Sequence, residues 1–274
     1  MCSLRRKGMI KVIISGASGR MSKLIAALIA QEKGMKVVAA LERKGHSDIG
    51  KKFSDVVGIN SAALNCRITD NLKNVIEKSD IILEYTTPKS TLEHLQEAIK
   101  SKKAMVIGTT GCTKIEMDKI KNAAVKIPIF FSPNTSLGVN LVFDVLERLA
   151  SVLPTDYNVE IVETHHIHKK DAPSGTAKKM ADIIATARKQ KPDKVITYGR
   201  KGRAESRPES QICIHALRAG NIQGKHEIRF ISQEDEITIT HNAFSRNIFA
   251  KGAVAALNFI ATKKKGLFTT EDLI

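Results

Sequence analysis

The stretch IKVIISGASGRMS, residues 10–22, decides the fold. Ile10 to Ser15 is short, rich in β-branched residues and bounded by glycine, so it reads as a buried strand. A helical pattern follows from about Arg20 to Gln31. Between the two lies the turn Gly16-Ala17-Ser18-Gly19-Arg20-Met21-Ser22. Its glycines let the backbone bend sharply and approach a pyrophosphate. The helix start adds N–H donors and the positive end of its dipole. The position at the first strand–helix junction is the context such a turn requires. Gly16, Ala17, Gly19, Arg20 and Met21 are therefore candidate cofactor residues. Ser22 stands where a third glycine is usual and is small enough for close helix–sheet packing.

The pattern repeats outward. Residues 35–41 (MKVVAAL) form a second strand, ending at Glu42 and Arg43. An acid there, about 20 residues past the glycines, suits adenosine ribose hydroxyls, and an arginine suits a 2′-phosphate. The pair points to both NADH and NADPH. Residues 80–85 (DIILEY), 104–108 (AMVIG) and 128–131 (PIFF) continue as strands, with helices at 89–100 and 113–125. Strand–helix alternation implies a doubly wound parallel sheet, an α/β Rossmann-like fold. Thr86-Thr87-Pro88 and Gly108-Thr109-Thr110-Gly111 follow two of these strands, where ligands of open α/β sheets bind. Thr86, Gly108, Thr109 and Thr110 join the cofactor candidates.

The pattern then changes. A helix is expected at 140–153, a strand with one wet face at 158–163, and a helix at 174–188 capped by Ser174. Strands at 211–217, 225–231 and 236–241 follow a polar stretch, 198–210. A final amphipathic helix spans 247–262. These elements read as an α+β domain. The division expected is 1–134 plus 246–274 as the dinucleotide-binding domain. Residues 135–245 are then the substrate-binding and oligomerisation domain.

Composition excludes several alternatives. The 274 residues carry a formal charge of +16, but lysine and arginine are scattered, with small clusters at residues 4–7 and 263–265. Aromatics are 4% with no Trp, which argues against a base-stacking surface. A nucleic-acid partner is not expected. Cys2, Cys66, Cys112 and Cys213 show no CxxC spacing, so no zinc or redox motif is expected and the cytoplasm is. No apolar run nears the ~20 residues of a membrane span. The basic start, MCSLRRKG, has no apolar signal core, and Met9 is a second candidate start beside Met1.

Residues 163–177, ETHHIHKKDAPSGTA, carry the chemistry. Three imidazoles and two ammonium groups follow a strand. Ser174, Gly175 and Thr176 then open a helix, a ready carboxylate site. Histidine delivers protons near neutral pH and lysine stabilises developing negative charge. Three other readings stand beside this one: satisfied surface histidines, a His-rich metal site, and a serine hydrolase. The metal site lacks a carboxylate or cysteine at recognised spacing, and the hydrolase lacks a GxSxG elbow.

The segment EIVETHHIHKKDAPSGTA closely resembles the signature of the 4-hydroxy-tetrahydrodipicolinate reductase (dihydrodipicolinate reductase) family of bacterial lysine and diaminopimelate synthesis. The resemblance extends through GASGRM, LERKG, TTP, GTTG, SPNTSLGVNL, LRAGNIQGKHEIRF and SRNIFAKGA in order along the chain. It implies NAD(P)H-dependent reduction of a cyclic dicarboxylate. His165 would be the proton donor and Lys169 would stabilise the nitrogen-centred anion. His166, Ser174, Gly175 and Thr176 would contact substrate carboxylates. Ser132 and Asn134 would lie at the cofactor, and the assembly would be a homotetramer. The chain departs from the family pattern at Ile167, often arginine, at Glu84-Tyr85, often Asp-Phe, and at Ser22.

Overall fold

The structure is a computed structural model that describes residues 8–202 and 206–274. Cys2, the basic cluster at 4–7, Met1 and residues 203–205 of the polar stretch lie outside the described residues.

In chain order the elements are β1 (Ile10–Ser15), α1 (Arg20–Ile29), β2 (Met35–Leu41), α2 (Phe53–Val57) and β3 (Ile68–Thr69). Next come β4 (Ile81–Glu84), α3 (Pro88–Lys100), β5 (Ala104–Ile107), α4 (Lys114–Ala124) and β6 (Pro128–Phe131). Then follow α5 (Leu137–Val152), β7 (Asn158–His165), α6 (Gly175–Ala187), α7 (Pro192–Val195) and β8 (Ile196–Tyr198). The chain ends with β9 (Ile212–Arg218), β10 (Gly224–Ile231), β11 (Glu236–Ala243), α8 (Asn247–Ile260) and β12 (Gly266–Phe268). Among the elements the sequence did not announce are α2, β3, α7, β8 and β12. They are all five residues or shorter, too short to show a period.

Two compact units result. The first ends at Leu137 and resumes at Asn247; the second is Gly138–Arg246.

The first unit is a seven-stranded sheet in the order β12-β6-β5-β4-β1-β2-β3, parallel in every pairing. Both faces of β1 are covered. Val12 and Ile14 pack with Ile25 and Ile29 of α1 and with Ala253 and Leu257 of α8. Ile13, on the other face, packs with Ile82, Met105 and Ile120. Burial on both faces is why the strand is apolar almost throughout rather than alternating. Chain order reverses between β1 and β4, so the loops after these strands meet at a topological switch point. α8 comes close to its neighbours: a Cβ at Gly252 would stand 1.6 Å from the Thr135 carbonyl oxygen.

The second unit is a five-stranded mixed sheet, β11-β10-β7-β9-β8. β10 runs antiparallel to β7 and β11, and β9 runs parallel to β7 and β8. One face holds Val159, Ile161, Ile212, Ile214, Ile228 and Phe230 against Phe143 and Leu146 of α5 and Met180 and Ile184 of α6. The other face carries Glu160, Arg229, Thr238 and Thr240, which are partly or fully exposed. β7 alternates between a buried and a more exposed face, and Glu163 lies on the buried one, in phase with Val159, Ile161 and His165.

Candidate active site

In the first unit the glycine turn runs directly into the start of α1. Gly16 adopts φ +71°, and a Cβ there would stand 2.9 Å from the Tyr85 carbonyl oxygen. A Cβ at Gly19 would meet the Gly16 carbonyl at the same distance. α1 starts on Gly19 with no side-chain cap and no acid in its first turn. By contrast, Thr87 caps α3 and Thr113 with Glu116 forms a capping box on α4. A helix start with no side-chain cap leaves backbone N–H groups that can receive phosphate oxygens. Glu42 is drawn to this turn, its Oε1 accepting from the Ser18 amide at 2.9 Å. Ser18 Oγ in turn donates to Asp48 at 2.7 Å. Neither Ser18 nor Asp48 was singled out from the sequence. Arg20 and Arg43 are exposed and Met21 is partly buried. Ser22 is fully buried and donates to the Ser15 carbonyl at 3.2 Å, which satisfies its hydroxyl between helix and strand.

Several of the other cofactor candidates are engaged internally. Gly108 is a glycine because of Tyr85: a Cβ there would lie 2.2 Å from the phenol ring. Burial pushes the Tyr85 hydroxyl up to about 12, partly offset by its bond to Thr135. Thr109 Oγ1 accepts from the Thr86 amide at 3.2 Å and from Thr91 at 2.9 Å. Thr86 Oγ1 donates to Glu84, whose other oxygen bonds His94 at 2.7 Å. Burial works against a charged His94, but Glu84 outweighs it and holds that imidazole above its ordinary range. Ser132 donates to the Asn134 carbonyl at 2.6 Å and accepts from Thr270 at 2.7 Å. Asn134 Oδ1 accepts from the Ser136 amide at 3.0 Å. Ala17 is buried and Thr110 exposed.

In the second unit, β7, β9 and β10 bring a charged cluster together at one end of the sheet. Glu163 and His226 are register partners, as are His165 and Arg218. Glu163 is fully buried. It bonds His165 Nδ1 at 2.6 Å and accepts from Arg218 at 2.8 and 3.0 Å and from the Ser174 amide at 2.9 Å. Burial alone would push its carboxyl up, but the bonds from His165, Arg218 and Ser174 bring it down to about 2. Ser174 caps α6, its Oγ accepting from the Ala177 amide at 3.1 Å and bonding His226 Nε2 at 3.0 Å. His226 stands edge-on to His165, ring centres 5.3 Å apart. Burial first, then the neighbouring His165, depresses His226 to about 4, and its Nδ1 has no partner.

The remaining candidates surround this cluster. Lys169 Nζ pairs with Asp171 at 2.9 Å. His166 has a buried Nδ1 without a partner; burial and then Arg246, His168, His165 and Lys169 hold it below its ordinary range. Gly175 is exposed and Thr176 partly buried at the start of α6. Sequence reasoning brought out His165, Lys169 and Ser174 but gave no role to Glu163, Arg218 or His226. The available signal was phase: Glu163 and His226 fall on the apolar face of their strands.

Glu160, Cys213 and His215 also converge, with ligating atoms within 4.8 Å. Glu160 already accepts from Arg200 at 2.5 Å, Arg207 at 3.1 Å and His215 at 2.8 Å. Two guanidinium charges there disfavour a cation.

A Rossmann-type parallel sheet joined to a unit with a buried imidazole–carboxylate–guanidinium cluster defines a two-part oxidoreductase of the pyridine-nucleotide class. The models described as "Dihydrodipicolinate reductase, N-terminus" and "Dihydrodipicolinate reductase, C-terminus" match residues 10–135 and 138–274. The chain belongs to the dihydrodipicolinate reductase family. It is 38% identical over 266 residues to the 4-hydroxy-tetrahydrodipicolinate reductase of Geotalea daltonii, covering 97% of this chain and 99% of that one. The enzyme of that name from Geobacter sulfurreducens is 39% identical with the same coverage. A dipicolinate-bound dihydrodipicolinate reductase from Paenisporosarcina sp. TG-14 superposes with TM-score 0.77 at 26% identity, over 97% of this chain and 100% of that one. An amine dehydrogenase from Mycobacterium smegmatis, at 10% identity and TM-score 0.60, shares the fold.

Proposed function

We propose that the protein reduces 4-hydroxy-tetrahydrodipicolinate to tetrahydrodipicolinate in diaminopimelate and lysine synthesis. The observation that carries the reading is the Glu163–His165 pair bonded to the cap of α6, within the segment that resembles the family signature. The Gly16–Met21 turn would hold a reduced pyridine nucleotide, which would supply hydride. Both NADH and NADPH are accepted, Glu42 serving ribose hydroxyls and Arg43 a 2′-phosphate.

The second unit supplies the other groups. The substrate loses its hydroxyl as water, which leaves an unsaturated cyclic dicarboxylate. Hydride addition to that ring sends an electron pair to an atom that must take a proton. His165 gives the proton. Lys169 stabilises the negative charge before protonation. His166 and the Ser174–Thr176 end of α6 receive carboxylates, where cations and a positive dipole end favour a dianion. Ser174 contributes mainly by capping, since its amide and hydroxyl are both engaged. The open face of the second sheet mates with further copies in a homotetramer, and the enzyme works in the cytoplasm.

The test follows absorbance of the reduced nicotinamide with substrate generated in situ. Substrate-dependent oxidation of both nucleotides is expected, and light scattering should give the mass of four chains. Folded protein that oxidises neither nucleotide overturns the assignment.

A further inference from the structure

Glu163 is an unusual use of a core position. Val159 and Ile161 precede it on the same dry face, and an apolar residue there would avoid the cost of desolvating a carboxylate. Its oxygens are fully committed. Arg218 donates Nη1 to Oε2 and Nη2 to Oε1, a bidentate fork. The Ser174 amide donates to Oε1, and His165 Nδ1 lies 2.6 Å from Oε2. With its carboxyl held down to about 2, Glu163 is a carboxylate at working pH and can only accept. Nδ1 of His165 must then be the donor in that bond.

We propose that Glu163, clamped by Arg218, is the positioning residue of the proton-donating imidazole, fixing the proton on His165 Nδ1 so that Nε2 is the nitrogen that gains and gives up a proton. This inference rests on the reading of His165 as the acid. Three further observations support it. The Nε2 side is kept narrow but clear by Gly224, where a Cβ would stand 3.1 Å from that nitrogen. Arg218 Nη2 also donates to the Asp171 carbonyl at 2.5 Å, so the same guanidinium ties down the loop next to Lys169. Through the Ser174 amide, Glu163 also fixes the helix end assigned to substrate carboxylates. One carboxylate thus sets the tautomer of the acid and the place of the anion site together.

The experiment combines nitrogen NMR of histidine-labelled protein with steady-state kinetics. In the unsubstituted protein, neutral His165 should carry its proton on Nδ1 and show an unprotonated Nε2. Glu163→Gln should populate both tautomers and lower kcat by about tenfold or more, leaving the Kd for NADPH unchanged. Glu163→Asp, which keeps the charge, should recover part of the loss. A wild-type His165 protonated on Nε2 overturns the proposal, as does wild-type kcat in Glu163→Gln. The tautomer of the unsubstituted protein decides the question even if Glu163→Gln does not fold. It also separates this claim from the reductase reading: protein that turns over no substrate yet holds Nδ1–H keeps the tautomer set by Glu163 and refutes the role of His165 as the acid.

Discussion

The two units treat charge in opposite ways. The glycine turn of the first offers backbone amides, an uncapped helix start and exposed arginines, with Glu42 resting against the Ser18 amide. The second buries a carboxylate, a cap hydroxyl and two imidazoles among apolar neighbours. The difference matches the tasks proposed for them. Holding a pyrophosphate needs fixed dipoles and room for close approach, which glycine provides. Moving a proton needs a group whose protonation is set by partners in a dry setting, which requires buried charge and its desolvation cost. The comparison makes the units separable by substitution.

Apart from His165→Ala, Lys169→Ala should have the largest effect. Its ammonium faces Asp171 and has no structural role comparable to that of Glu163. Turnover should fall by about 10²-fold or more while nucleotide affinity holds, measured by kinetics and fluorescence titration. Weakened nucleotide binding in this variant would break the division between units.

The second substitution probes the buried imidazoles through pH. His226 is depressed to about 4 from its ordinary value, burial being the main cause. Between that value and about 6.5 the unfolded chain binds a proton that the folded protein refuses. Stability contributed by the neutral form is therefore complete above about pH 6.5 and is lost as pH falls toward 4, by roughly 3 kcal/mol. Denaturation across this window should show that slope, and His226→Gln should remove it. Glu163 acts lower: its stabilisation is lost only as pH falls from about 4.3 toward 2. An unchanged slope in His226→Gln would place the titration elsewhere.

The smallest effect tests the first unit. Gly108→Ala forces a methyl against the Tyr85 ring and should cost roughly 1–3 kcal/mol in denaturant unfolding. Adding Tyr85→Leu should restore much of it. A Gly108→Ala protein of full stability that binds nucleotide poorly would show that the glycine serves the ligand instead.

Much of this was legible in the sequence, for local reasons. The parallel sheet follows from apolar runs separated by helical periods, and the Gly16–Gly19 turn from its place at the first junction. Ser174 was legible as a cap because capping is settled within one helical turn. The rest depends on pairing. Arg218 reaches Glu163 only because β9 lies beside β7, and His226 faces Glu163 only in the β10 register. The role of Gly108 is invisible until Tyr85 from the neighbouring strand is placed over it. β12 is three residues long and joins the sheet by adding to β6. The strand with one wet face was legible from its alternation, but Glu163 breaks that alternation: the phase set by Val159 and Ile161 places it inside.

The most direct test compares His165→Ala with the unsubstituted protein in two assays: substrate-dependent oxidation of NADH and NADPH, and equilibrium binding of the same nucleotides. The expected result is turnover lowered by about 10²–10⁴-fold with both dissociation constants unchanged. Full turnover in His165→Ala, or lost nucleotide binding with it, would contradict the assignment of proton donation to the second unit and nucleotide binding to the first.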